Sequence, residues 1–207
     1  MTFTNDMTMM YAVHDALRRD LDHLARITSH TDDDPKRILR AAVGWELFKS
    51  YLHVHHASED EMLWPPLHAA IPADSEAAAL LDALEAEHAE IDPQIEAIDT
   101  VLADRQSDAS RLAELVEALR ISLRYHLAHE EVEGLPVIDS AITHEQWQAF
   151  GADGARRLGA DGSRFMPWVL DGADQDVTAT VLGALPPPVR QAYLTQWQPA
   201  YAALTLF

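Results

Sequence analysis

Four stretches of this chain place a histidine on the apolar face of a predicted helix. In each stretch, apolar residues recur at steps of three and four, which is the spacing of an amphipathic α-helix. The histidine shares their phase, and in two stretches a glutamate follows it four positions later on the same face. Because a buried polar group without a partner is destabilising, the pattern predicts a polar site inside a helical core. The six residues are His14, His55, Glu59, His88, His126 and Glu130.

The same stripes predict four helices joined by short connections. A turn at residues 31–35 separates the first two helices, with Asp34 as N-cap and Pro35 as the first helical residue. The second helix is expected to end near Trp64, because two prolines follow. Four such helices predict an all-α fold, an antiparallel up-down four-helix bundle. Their expected bounds are 9–30, 35–64, 77–102 and 112–130.

The spacing of the stripe histidines places them at one level of the predicted bundle. In an antiparallel hairpin, residues equidistant from the turn stand side by side. The sequence midpoint between each consecutive pair of these histidines falls on a predicted connection: at Asp34 and Pro35, at Ile71 and Pro72, and at Ser107. We therefore expect all four imidazoles in one layer, where they can bind a metal together with the two glutamates.

The two His-x-x-x-Glu pairs belong to an internal repeat. Each pair is followed by a proline six residues after its glutamate, at Pro65 and at Pro136, and each is preceded by one stripe histidine on the helix before it. Two helical hairpins thus supply the same set of donors. This arrangement is typical of a two-metal site with approximate twofold symmetry.

The pattern resembles the hemerythrin family, in its bacterial form the HHE cation-binding domain. The resemblance rests on the six residues above and on Leu63-Trp64-Pro65 and Leu135-Pro136, and it covers roughly residues 9 to 140. It implies two iron ions, bridged by the two glutamates and by an oxo or hydroxo group, with imidazoles at the ends. Manganese and zinc suit the same donors and rank behind iron.

The third helix differs from that of the oxygen-carrying members of the family, in which the resemblance implies a His-x-x-x-His motif. The positions four away from His88 are Leu84 and Asp92, and we expect Asp92 to flank the site, with ligation as the alternative. Tyr51, one turn before His55, is a candidate extra ligand or hydrogen-bond donor. Because no second histidine lies four positions from His88, one iron would be short of a protein ligand and would keep open positions. Open positions favour chemistry with dioxygen or peroxide over reversible oxygen carriage.

Other polar residues on these helices are expected to face solvent. His53 and His56 are interpreted as solvated or as supporting residues beside the site. Asp60, Glu61 and Glu131 are interpreted as a solvated acidic collar. The alternative for these three carboxylates is that they orient a histidine by accepting its N–H.

Residues 1–140 are predicted to be the metal-binding bundle, and residues 141–207 a helical C-terminal extension. A capping box at residues 143–146 opens the extension, and glycine-rich turns are expected at residues 151–154 and 159–162. Large apolar side chains cannot all remain in water, so the extension is expected to dock on the bundle as a packing element, a lid or a dimer contact. These side chains are Trp147, Phe165, Trp168 and Trp197.

Composition excludes several classes of function. A net charge of −19 argues against nucleic acid and anionic membranes as partners, and the absence of cysteine excludes thiol chemistry and thiolate metal sites. With no predicted signal peptide or membrane span, we expect a cytoplasmic protein.

The leading hypothesis is a di-iron oxidoreductase with oxidase, peroxidase or catalase-like chemistry on dioxygen or peroxide. The alternatives are a non-enzymatic protein that carries or senses oxygen, iron or nitric oxide, and a structural zinc bundle. An electron-donor protein and a second copy of the chain stay open as partners.

Overall fold

A computed structural model describes residues 3–29, 34–104, 106 and 108–207 of the chain. The described residues are almost entirely helical and contain no strand. His30, the expected turn residues 31–33 and the expected midpoint Ser107 lie outside the described residues. The helices up to residue 141 are α1 Thr8–Ser29, α2 Pro35–Ala41, α3 Gly44–Met62, α4 Trp64–Ala70, α5 Glu76–Ala103, α6 Ala109–His129 and α7 Leu135–Ala141.

The four apolar stripes lie on the long helices α1, α3, α5 and α6. Helix α6 packs against α1 and α5, and α3 contacts the same two helices. Fully buried leucines and isoleucines from the stripes fill the space between them, among them Leu21, Ile98 and Leu119. A buried layer of this kind is what the three-and-four spacing predicts.

The predicted second helix is two helices, with a break at Ala42 and Val43. Asp34 caps α2 as expected, through a bond from the Lys36 backbone N–H to its carboxylate. The break coincides with the docking of the last residues of the chain: the N–H groups of Val43 and Gly44 donate to the carbonyls of Thr205 and Leu206 at 3.0 and 2.9 Å. A continuous helix would use these donors internally, so the expectation of one helix over residues 35–64 is wrong.

Helix α6 does not stop at Glu130 but continues through a π-helical turn, Glu130–Gly134, into α7. Such turns often occur at functional sites, because they shift the side chains that follow relative to the regular helix. The remaining α-helices are α8 His144–Leu158, α9 Gly162–Leu170, α10 Gln175–Ala184, α11 Pro187–Ala192 and α12 Gln198–Ala202, and a second π-helical turn, Tyr193–Trp197, joins the last two.

The extension opens with the predicted capping box, in which Thr143 and Gln146 exchange hydrogen bonds. The expected turn at residues 151–154 is wrong, because these residues lie inside α8. Gly159 does end that helix, with a φ of 50° that favours glycine.

The extension packs on the long helices. Helix α8 lies against α3, and α9 lies against α1. Trp168 is 1 % exposed, and its indole N–H donates to Asp20 of α1 at 2.7 Å. No helix in the described part of the chain combines the length and the apolar character that crossing a membrane requires.

Candidate metal centre

The six residues predicted from the sequence lie together in the interior, each between 0 and 8 % exposed. Helices α1, α5 and α6 each contribute one histidine, α3 contributes a histidine and a glutamate, and the π-helical turn contributes the second glutamate. The nearest donor atoms are the Nε2 atoms of His14 and His55, which are 3.0 Å apart, and those of His88 and His126, which are 3.1 Å apart. The four stripe histidines therefore converge in the interior, as the spacing predicts.

The donor atoms form two clusters, each compact enough to hold one metal ion. In cluster A the donor atoms of His14, His55, Glu59 and Glu130 all lie within 4.8 Å of one another. The Nε2 of His14 is 3.3 Å from Oε2 of Glu130, and Nδ1 of His55 is 3.3 Å from Oε1 of Glu59. All four side chains are buried.

Cluster B joins His88 and His126 with a third imidazole, that of His56. His56 is 6 % exposed, and its ring stacks on that of His88 with centroids 3.9 Å apart and 12° between the planes. Its Nε2 has no hydrogen-bond partner among the described residues. The interpretation of His56 as a solvated residue is wrong, whereas His53 is exposed as expected.

A signal for His56 was present in the internal repeat. When His55 is aligned with His126, His56 aligns with Leu127, which is fully buried. A position that is apolar in one half of a repeat is a candidate for burial in the other half. The helical stripe alone missed it because adjacent residues point about 100° apart around a helix.

The two glutamates lie between the clusters. Glu59 reaches His55 of cluster A through Oε1 and His88 of cluster B through Oε2, at 3.3 and 3.5 Å. Oε2 of Glu130 is 3.3 Å from Nε2 of His14 and 4.0 Å from Nε2 of His126. Both carboxylates are 0 % exposed, and none of their four oxygens has a hydrogen-bond partner among the described residues. A buried carboxylate of this kind is costly unless it binds a cation or takes up a proton.

Three further carboxylates orient the histidines from outside. The Nδ1 of His14 donates to Glu131 at 2.9 Å, and the Nδ1 of His88 donates to Asp60 at 2.9 Å. Asp60 and Glu131 each directly follow a glutamate of the site, so these two bonds repeat the internal symmetry. The alternative interpretation, that they orient a histidine, therefore fits both residues. Glu61 instead pairs with Arg157 of α8 at 2.6 Å.

Glu87 is the third of these carboxylates, and no sequence pattern selects it. Its Oε2 accepts from Nδ1 of His126 at 2.9 Å, and its Oε1 accepts from Nδ1 of His129 at 2.8 Å. Glu87 precedes His88 directly and lies off the apolar stripe. Its role depends on how α5 and α6 pack, which no local pattern reports.

These outer bonds determine which ring nitrogen carries a proton. An ionised carboxylate only accepts, so Nδ1 of His88 and of His126 must each donate. Their Nε2 atoms then each carry a lone pair and lie 3.1 Å apart. The two lone pairs repel each other unless a cation or a proton lies between them. The hydrogen-bond geometry therefore supports metal binding by these residues without any appeal to the family resemblance.

Burial changes the pKa values of three residues of the site. It lowers the pKa of His55 and of His56 well below the usual value, so both rings are neutral and can donate a lone pair. Burial and the repulsion of Glu130 raise the pKa of Glu59 well above its usual value. A metal ion relieves that cost by compensating the carboxylate charge.

Gly134 closes the π-helical turn and leaves room for Glu130. A Cβ at this position would lie 2.9 Å from Cδ1 of Leu84 and 3.1 Å from Cγ of Glu130. Contacts that short require the neighbours to move. Glycine therefore allows the turn to pack closely against α5 while Glu130 points to the centre.

The two flanking candidates, Tyr51 and Asp92, line different pockets. Tyr51 is fully buried and packs against Phe165 and Trp168 of the extension, at ring-centroid distances of 5.1 and 4.8 Å. Burial and the neighbouring carboxylate of Asp161 raise the pKa of its hydroxyl, so it stays protonated. Asp92 is exposed and lies outside both clusters.

Two pockets approach the centre. A polar pocket of about 450 Å³ reaches His56 and His88 between α3 and α5, and Asp92 lies on its wall. A mainly apolar pocket of about 430 Å³ reaches His55 between α1, α3 and the extension. Each cluster thus has at least one histidine in the wall of a pocket.

Comparison with known families agrees with this geometry. The family model described as the hemerythrin HHE cation binding domain matches residues 5–138, which is more than half of the chain. The matched span contains every residue of clusters A and B. A search of curated proteins found no significant match, and a search of solved structures found none either. The chain belongs to the hemerythrin HHE cation-binding domain family.

Proposed function

We propose that this chain holds two iron ions at clusters A and B and reacts there with dioxygen or peroxide as an oxidoreductase. The observation that carries the proposal is the pair of buried carboxylates, Glu59 and Glu130, each with contacts to a histidine of both clusters and no hydrogen-bond partner among the described residues. Such carboxylates can give one oxygen to each of two ions. The proposal therefore concerns a pair of metals rather than one.

The proposed ligands of cluster A are His14 and His55, those of cluster B are His56, His88 and His126, and both clusters share Glu59 and Glu130. Iron is supported by the mixture of imidazole and carboxylate donors and by the family. Manganese and zinc suit the same donors and are the metals to test beside it. Two bound iron ions would supply one-electron redox chemistry and open positions for a small oxidant.

The chain's own residues give the centre its order. Glu131, Asp60 and Glu87 fix three imidazoles by accepting their Nδ1 protons, and Arg18 holds Glu131 through a bond of 2.7 Å. Leu84, Leu123 and Leu127 are fully buried apolar residues of α5 and α6 and help to exclude bulk water from the bundle. A fixed donor set in a dry interior favours repeated cycling of the metals without their loss.

The second candidate function is reversible binding or sensing of oxygen, iron or nitric oxide. The burial of His56 favours it, because a fifth imidazole weakens the argument that one metal lacks a protein ligand. The apolar pocket beside His55 favours the oxidoreductase, since a carrier of a diatomic gas has no use for a cavity of about 430 Å³.

One experiment separates these functions. The purified chain is analysed for metals, its near-ultraviolet spectrum is recorded before and after peroxide, and oxygen release is followed. Two irons per chain with turnover of peroxide or dioxygen support the oxidoreductase. A reversible oxygen adduct without turnover supports the carrier, and zinc alone or no metal would contradict both.

The arrangement of the long helices is part of the proposal. We infer an antiparallel up-down bundle of α1, α3, α5 and α6. Two contacts between α1 and α6 with its π-helical continuation support this: His14 bonds to Glu131, and Asp22 bonds to Arg124. From the first contact to the second the residue number rises on α1 and falls on α6, as it does in antiparallel helices. Helices α5 and α6 have the same relation, with contacts between His88 and His126 and between Gln94 and Ser122.

The division of the chain is also a proposal. We assign residues 1–140 to the metal-binding bundle and residues 141–207 to an extension that depends on it. The support is that the extension's most buried ring, Trp168, lies in the same apolar core as Leu17 and Tyr51.

A further inference from the structure

The apolar pocket beside His55 is built jointly by the bundle and the extension. One face of α3 lines it with Tyr51, Val54, His55 and Ser58, and methionines of α1 complete the bundle side. Aromatic rings of the extension form the opposite wall. Its volume of about 430 Å³ lies in the range of small-molecule sites.

One hydroxyl group in this wall has no partner. Ser58 is 2 % exposed, yet its Oγ makes no hydrogen bond within the described residues. A buried hydroxyl without a partner is destabilising, and most such groups in proteins are bonded. Ser58 belongs to the wall of the pocket, so a ligand with a polar group would satisfy its hydroxyl.

The charge of the wall restricts the ligand. Among the described residues that line the pocket, Asp6 is the only charged side chain and none is Lys or Arg. An anionic ligand would therefore find no counter-charge and would approach a chain of net charge −19. The aromatic rings of Trp147, Phe150, Phe165 and Trp197 favour a flat apolar body.

We propose that this pocket binds an uncharged phenol, with its ring between the bundle and the extension and its hydroxyl on Ser58. Binding stands on the pocket alone. That the phenol is a substrate of the neighbouring centre rests on the proposed function, because His55 belongs both to the pocket wall and to cluster A.

The glycines of the extension offer a way to fill the pocket. Gly154 lies on its wall inside α8, and a Cβ there would meet only Oγ of Ser58, at an ordinary contact distance of 3.7 Å. A leucine at this position fits the helix and projects beside Ser58. Gly183 of α10 is a matched control, since it is helical, has open space at its Cβ and does not line the pocket.

The probe is 1-naphthol, and naphthalene serves as the same body without the hydroxyl. Binding is measured by quenching of tryptophan fluorescence and by calorimetry, on the full chain both as purified and after metal removal. We expect saturable binding of 1-naphthol at one site in both forms. We expect at least about tenfold weaker binding in Gly154→Leu and unchanged binding in Gly183→Leu.

Ser58→Ala tests the polar contact. Loss of one hydrogen bond weakens binding by about five-fold. We expect that loss for 1-naphthol in this variant and no loss for naphthalene. Absent or unsaturable binding of 1-naphthol, equal binding by Gly154→Leu, or equal losses for both probes would overturn the proposal. Because the metal-free chain is also measured, these outcomes are independent of metal content, on which the proposed function depends.

Discussion

His88 donates from Nδ1 to the carboxylate of Asp60 at 2.9 Å, and the same oxygen accepts the indole N–H of Trp64 at 3.0 Å. Asp60 therefore fixes the ring that presents Nε2 to cluster B. We expect Asp60→Ala to lower metal affinity by about 10- to 100-fold, as loss of such partners does in other metal sites. The measurement is metal retained per chain against a competing chelator.

Two variants control for the Asp60 substitution. Asp60→Asn keeps an oxygen that accepts the Nδ1 proton, so its loss should be smaller. Glu61→Ala removes the next carboxylate, which pairs with Arg157 and contacts neither cluster, and it should leave affinity unchanged. Equal losses in all three variants would mean that Asp60 has no particular role in orienting His88.

His56 is expected to be a ligand of cluster B. His56→Leu places there the residue that stands at the equivalent position of the repeat, Leu127, and it should reduce metal content from two ions to about one per chain. His53→Leu, three residues earlier on the exposed side of α3, should keep both ions. Metal analysis after desalting measures this difference, and full metal content in His56→Leu would exclude the residue as a ligand.

Removal of metal is expected to destabilise the fold. Glu59 is fully buried without a hydrogen bond, so in the metal-free chain its carboxyl must either stay charged in an apolar interior or take up a proton, and both cost free energy. A metal present at 100 times its dissociation constant stabilises the folded state by about 2.7 kcal/mol. Thermal unfolding with a chelator, and again after iron is restored, should show a fall and then a recovery of the midpoint.

Glu59→Gln is the informative companion to metal removal. A neutral amide removes the cost of burying an ionisable carboxyl, so the metal-free variant should unfold at a higher temperature than the metal-free parent chain. It should also gain less stability from added iron. If the chelator leaves the thermal unfolding midpoint of the parent chain unchanged, this core is not stabilised by a metal.

The bond between Asp20 and Trp168 is expected to hold the extension on α1. Asp20→Ala leaves the buried indole N–H and the guanidinium of Arg19 without this acceptor, at a cost of about 1–3 kcal/mol in unfolding free energy. Asp22→Ala, which loses only an exposed pair with Arg124, should cost less than about 1 kcal/mol. Denaturant unfolding of the two variants compares them, and equal midpoints would show that the contact contributes nothing beyond a surface pair.

The stripe residues could be predicted because helical geometry fixes their phase. His55 and Glu59, or His126 and Glu130, must share a face wherever the helix packs, and the repeat then relates the two pairs. His56 and Glu87 escaped that argument. Each lies next to a stripe histidine, and whether it turns inward depends on the neighbouring helix rather than on its own.

The break between α2 and α3 shows a second reason for failure. Nothing local at Ala42 and Val43 ends a helix, since neither is glycine or proline. The donors released there are taken up by Thr205 and Leu206, from the far end of the sequence. Gly44 is the one trace left in the sequence, because a Cβ there would lie 2.1 Å from the carbonyl oxygen of Leu206.

The close fit of Gly134 against Leu84 and Glu130 extends the signature of this centre beyond its ligands. A chain with the same histidines and glutamates but a bulky residue four positions after the second glutamate would have to shift the side chains of Leu84 and of that glutamate. A search of sequence collections for centres of this geometry should therefore separate chains with a glycine at that position from chains without one. Matches that lack it would form a separate group, with the same donors in a different arrangement.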